Sequence, residues 1–534
     1  MTRWMRRTWI GVTIGVAIAA AGVAVVQSSR LAAVQHEQAR LRERVAGLEA
    51  KLTERDENAD PFGDLLGSLL EGGASDGGAD APADLGGMFG GDTLDCLIGD
   101  TPLGGMLGGG SGDLGDLSKV IEGIDPNDPE AAGDVLGDLL GGTTPAGGGS
   151  ARAQVRAIAK SVEEVRELEF ERRVQPVFLP PDEVARRAVR LFLRDYPQDT
   201  ADAEARLLSS LGAIPRGLDL RAAVKELLES QVAGFYVPET EQLVVPSEDP
   251  SEPLSAAEKI ILAHELDHAL TDQTLGLPVP DDPDPARLDE DLAAIALVEG
   301  DATLAMQRYA LSDIPIFEQF SMLSDPLVTG SQAALEDTPY YLGQQLQFPY
   351  LAGLEFVCAR YGDGKWKSVN RTYGRPPAAS DQVLFPDRYG EDEPAPPPAP
   401  GAPGGAWGEV WSSSFGAAHL LWLFEAPGGD ESAALADAKD DVAAWGGGRA
   451  VVWADGDDSA VGLVLVERPG EDGLCDAVAR WYQSAFPDDD DVSPAPGERL
   501  ARDGETQDAV LRCAGDDVRL GIAPRIDEAR RIAG

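Results

Sequence analysis

Basic side chains are in short supply. Lys and Arg number 44 against 92 Asp and Glu, a formal net charge of -48 at pH 7. That deficit excludes nucleic acid as a partner, because neutralising phosphates draws on Lys and Arg. It also argues against docking on an anionic lipid surface. The acidity reads as a solubility device for a secreted chain, with an acid-rich surface suited to a basic substrate as the alternative. Cysteine and histidine are scarcer still, at four each. No C-x-x-C occurs, which removes a thiolate zinc site or a thiol redox motif. Cys475 and Cys513 share the C-terminal segment and form a candidate disulfide, given an oxidising compartment. Cys358 sits in an apolar run with Leu354, Phe356 and Val357 and reads as a core residue.

What is present divides the chain. Residues 1–8 are a basic tail with Arg3, Arg6 and Arg7, and residues 9–26 carry no charge. At about 1.5 Å per residue that run is long enough to cross a bilayer. With the positive flank it predicts a single-pass signal-anchor, the N-terminus in the cytoplasm and the rest outside, periplasmic or extracellular. A cleaved signal peptide, giving a secreted protein, is the competing reading. Residues 27–57 are the expected stem. Leu31, Val34, Leu41, Val45, Leu48 and Leu52 keep a 3-4 spacing, which predicts a coiled coil and self-association through residues 31–52; a lone amphipathic stalk is the alternative. Residues 58–150 are rich in Gly and Asp and predict a disordered spacer. Periodic sequence returns near Ala151. Residues 151–393 are expected to form a mainly helical domain with short strands, 394–405 a Pro/Gly-rich loop, and 406–534 a smaller α+β part, so that the whole is α+β.

The chemistry concentrates at Ser255–Leu270. Ser255 followed by Glu258 is a capping-box pattern. Downstream, His264 and His268 are four apart and share one helix face. Two imidazoles so placed fill two positions of a zinc ion, and Glu265 between them can reach an attacking water without binding metal, the H-E-x-x-H arrangement. A catalytic zinc needs a third protein ligand. Leu292, Ile295, Ala296, Glu299 and Thr303 share a face of a second expected helix, and a carboxylate on an apolar face is costly unless paired or metal-bound. Glu299 is therefore the expected third ligand, for one Zn2+ per chain. Asp289, Glu290 and Asp291 open that helix and should complement its dipole. Asp301 points away from the face of Glu299, as a partner behind the ligands or a surface contact. Asp267 is either exposed or orients a neighbour.

On these motifs the chain resembles the glutamate-type zincins, thermolysin-like in logic. It is closest to a group of largely uncharacterised bacterial membrane-associated or secreted zinc metallopeptidases. The phrases that carry the resemblance are Leu211–Pro215, Ala233–Tyr236, Ala263–Gln273, Val298–Thr303, Pro349–Gly353, Pro376-Pro377 with Asp381–Pro386, and Trp445–Gly447. They span about Val184 to Ala454. The resemblance implies a helical zincin-like core and hydrolysis of peptide bonds in a peptide or protein substrate. Two positions depart from that pattern: Phe385 stands where relatives often have His, and Gly448 where they often have an acidic residue.

Peptide hydrolysis also needs a donor for the tetrahedral oxyanion. His419, Tyr236, Tyr340, Tyr341 and Tyr350 are the candidates, although His419 lies in an apolar helix and the tyrosines equally suit a core. Two other classes of function stay open: an envelope scaffold with a structural zinc, and a zinc hydrolase of non-peptide amides.

Overall fold

The computed structural model describes residues 96–97, 149–231, 234–279, 284–315, 318, 335, 338–391, 393–394 and 397–534. The expected membrane span, the stem and nearly all of the spacer lie outside them. No helix among the described residues is long and apolar enough to cross a membrane.

The described chain opens with helix α1 (Ala151–Arg166), strand β1 (Gln175–Leu179), and helices α2 (Pro181–Asp195), α3 (Gln198–Ser210) and α4 (Leu220–Gln231). Val155, Ile158 and Val162 of α1 recur at helical spacing and are buried, and Arg166 continues the same stripe. Strands β2 (Phe235–Val237) and β3 (Gln242–Pro246) follow. They form a hairpin around Pro238, with Phe235 opposite Val244. β1 then adds to β3 in parallel, giving the order β1-β3-β2. Next come α5 (Ala256–Thr274), α6 (Leu288–Asp313), α7 (Tyr340–Thr372) and the short α8 (Ser380–Leu384). α7 is broken at Gly364-Lys365, where Lys365 has φ 56.

α6 and α7 cross at two glycines. A Cβ built on Gly300 would lie 2.2 Å from the carbonyl of Gly353, and one on Gly353 would lie 2.2 Å from the carbonyl oxygen of Ala296. The backbones touch there because neither residue has a side chain.

The remainder is α+β, as the sequence implies. It runs through β4 (Gly408–Ser414), α9 (Ala417–Glu425), α10 (Ala438–Ala443), β5 (Trp445–Asp455), β6 (Asp458–Glu467) and α11 (Leu474–Ala485). β7 (Asp490–Asp491), β8 (Glu498–Asp503), β9 (Asp508–Ala514), β10 (Asp517–Ala523) and α12 (Ile526–Ala533) complete it. Seven strands form one sheet in the order β4-β5-β6-β10-β9-β8-β7. Its two faces follow the two-residue period of a strand. Ala450 and Val452 face a core shared with α6, α7 and α9. Val451 and Trp453 face a second cluster capped by Ala529 and Ile532 of α12. The Pro/Gly-rich segment is fastened to the sheet's helix, since Gly401 donates its N–H to the carbonyl of Ile532 (2.9 Å). Residues from both sides of that segment therefore share one core.

The cysteines pair more widely than expected. Cys475 and Cys513 are disulfide-bonded, tying α11 to β9. Cys358 is buried as expected, but it is not a free core thiol: it is bonded to Cys96, 262 positions away. Cys96 and Leu97 are helical and buried, so the spacer is fixed at this point. Arg308 adds to the anchor by donating to the carbonyl of Cys96. A crosslink that closes so long a loop acts chiefly on the unfolded chain. Cys96→Ser should therefore lower the unfolding free energy by about 2–4 kcal/mol, read as a lower urea midpoint with a steeper slope, because the uncrosslinked unfolded chain is less compact. An unchanged midpoint would show that the crosslink carries no stability.

Candidate metal centre

The site begins with the start of α5. Ser255 Oγ accepts the N–H of Glu258 (3.2 Å), and Glu258 Oε2 accepts the N–H of Ser255 (2.7 Å). This reciprocal pair sets where the helix begins and hence which residues face inward. From Ile260 to Thr271 every residue of α5 is buried, against α1, α6 and β2.

His264 and His268 both turn Nε2 toward Glu299 of α6. His264 Nε2 lies 3.1 Å from Glu299 Oε2, His268 Nε2 lies 3.5 Å from it, and the two nitrogens are 3.0 Å apart. All three side chains are 1% exposed. Donors held tetrahedrally at about 2.0–2.1 Å from one zinc ion are separated by about 3.3–3.4 Å. The observed triangle brackets that value, so the three residues fit a shared cation. They form a buried group that could hold a metal ion.

The three groups are coupled electrostatically. Burial would raise the Glu299 carboxyl, but the charge of His268 and hydrogen bonds from both imidazoles outweigh it and hold it down at about 2. Burial would lower His268, but Glu299 beside it pushes it up to about 9. His264 is lowered by burial and by the neighbouring His268. An imidazole binds a metal only when neutral, so uptake of a cation here would release the proton that Glu299 favours on His268.

Glu265 is held from the opposite side. The N–H of Tyr236, on β2, donates to Glu265 Oε2 (2.7 Å), while Oε1 is buried with no partner. Burial pushes this carboxyl up to about 8, against the pull of His268 and the Tyr236 N–H. A carboxyl so raised keeps its proton at neutral pH, and a cation at the neighbouring triad would lower it toward the accepting form.

Of the five oxyanion candidates, Tyr350 alone is placed against the ligands. Its ring stacks on His264 with centroids 5.9 Å apart, and burial, together with the nearby Glu299 and Glu265 carboxylates, pushes its hydroxyl well up. The Tyr236 hydroxyl goes to Asp272 (2.9 Å) and that of Tyr340 to Glu425 (2.8 Å). Tyr341 packs on Trp422 and His419. His419 lies among Tyr341, Phe415 and Trp422, and burial lowers it to about 4, so it is a neutral core residue.

For Asp301 and Asp267 the structure selects the inward reading of the two that the sequence leaves open, and Asp289 departs from expectation. Asp301 makes no surface contact; it is fully buried and accepts from Arg166 and Tyr373. Asp267 is also fully buried and accepts from Arg166. Asp289 does more than complement a dipole: it is buried and accepts the N–H of Ser380 (3.2 Å). α6 is enclosed on nearly all sides, so its second face is as dry as its first. Arg166 was invisible as a site residue. Its one signal is its position four after Val162, a lone cation ending an apolar stripe.

Gly448 shows why its position departs from the resembled pattern. A Cβ there would lie 2.1 Å from the carbonyl oxygen of Phe415, so no acidic side chain fits this backbone. Phe385 packs beneath the guanidinium of Arg388, 4.3 Å from the ring centre. No protein-family model, curated protein or solved structure matches the chain.

Proposed function

We propose that the chain is a zinc-dependent metallopeptidase with a zincin-like core, held outside the cytoplasmic membrane by the uncharged run of residues 9–26. The observation that carries the reading is Glu265: one oxygen fixed by the Tyr236 N–H, the other buried and unpartnered, one residue along the helix from His264. His264, His268 and Glu299 would hold the ion. Zinc there would supply a Lewis acid and bring the pKa of water toward 7. Glu265 Oε1 takes a proton from the water that attacks the peptide carbonyl and returns it to the departing amine. Tyr350, beside His264, is the donor for the oxyanion. The two disulfides support an oxidising compartment.

One observation favours a second reading, a structural zinc in an envelope scaffold: the three ligands are almost fully enclosed, at 1% exposure. Structural sites, however, have four protein ligands, and the described residues supply three. Incubating the full chain with an unfolded protein substrate separates the readings. Cleavage that a chelator abolishes and zinc restores is the expected result. Zinc uptake without any cleavage would support the scaffold, and cleavage of small acyl amides but not peptides would support an amidohydrolase.

A further inference from the structure

We propose that Arg166 is a positioning residue for the metal ligands, clamping together the two helices that carry them. The inference rests on the metal-centre reading. Arg166 ends α1 and is fully buried. Its Nε donates to Asp267 Oδ1 (2.9 Å), on α5 between His264 and His268. Its Nη2 donates to Asp301 Oδ2 (2.9 Å), on α6 two residues after Glu299. One guanidinium thus bridges one carboxylate from each ligand-bearing helix.

The guanidinium is itself fixed. Nη2 also donates to Asn370 Oδ1 (3.1 Å), and Cζ sits 4.1 Å from the centre of the Trp366 ring. Tyr373 donates to the same Asp301 oxygen (2.7 Å). A planar fork held this way sets how α5 and α6 are rotated relative to one another. That rotation decides whether His264, His268 and Glu299 converge.

Arg166→Lys tests this, because it keeps the charge and loses the fork. Two readouts on the full chain are needed: zinc affinity by competition with a chelating dye, and the visible spectrum of the cobalt-loaded protein. The expected result is a 10–100-fold loss of zinc affinity, the usual effect of removing a partner behind the ligands, with an altered cobalt spectrum. If Arg166→Lys does not fold, Arg166→Met with Asp267→Asn and Asp301→Asn removes all the buried charge together, and the same loosening is expected. Unchanged affinity and spectrum in whichever variant folds, even with a lower melting temperature, would make Arg166 a purely structural residue and overturn the proposal. A wild-type chain that takes up neither zinc nor cobalt would instead overturn the metal-centre reading beneath it.

Discussion

Glu265→Gln should leave zinc in place and lower peptide hydrolysis by about 10²–10⁴-fold, the range for loss of a positioned acid-base group. Gln has nearly the same shape, and its carbonyl oxygen can still accept the Tyr236 N–H that now binds Glu265 Oε2. What it cannot do is take up a proton. The group that could hold the ion is His264, His268 and Glu299, so the substitution leaves the donor set unchanged. Stability should not fall, because the substitution removes a carboxylate that burial disfavours. The diagnostic outcome is a split: activity lost, zinc content and melting temperature kept. A variant that keeps its turnover would remove Glu265 from the chemistry, whatever the metal does.

Gly300→Ala should be severely destabilising, although helix propensity alone predicts the reverse. Ala in place of Gly gains about 1 kcal/mol in a helix interior. Against that, the new methyl would sit 2.2 Å from the backbone of Gly353, far inside van der Waals contact. A backbone atom cannot swing aside as a side chain can, so α6 and α7 must separate. Overpacking costs about 1–3 kcal/mol where side chains can adjust, and more where they cannot. A net loss of about 2 kcal/mol or more is expected, as a lower denaturant midpoint. Because Glu299 precedes Gly300, zinc affinity should fall with stability. An unchanged midpoint would mean that the two helices do not touch at these glycines.

The legible parts of the site were the local ones. The capping box at Ser255 and the four-residue spacing of His264 and His268 depend only on helix geometry. Glu299 could be picked out because helical spacing put its carboxylate on an apolar face. Helical spacing turns Asp301 away from that face, whereas the burial of the opposite face depends on α1 packing over it, which spacing within one helix does not encode. Arg166 belongs to a helix more than 100 positions away in sequence from Asp301, and periodicity carries no information across that distance. The Cys96–Cys358 bond was hidden for the same reason, with one partner in a Gly-rich stretch that has no periodicity to read. The α+β class and the presence of short strands in the first part are legible from strand alternation and turn residues. The parallel pairing of β1 to β3 did not, since Gln175–Leu179 is short and contains Pro176.

Metal analysis of the purified full chain tests the central claim most directly. Convergence of two imidazoles and one carboxylate predicts about one zinc ion per chain, bound at His264, His268 and Glu299 and lost when His268 is replaced by Ala. Near-zero zinc after reconstitution, or a full complement that survives His268→Ala, would contradict it.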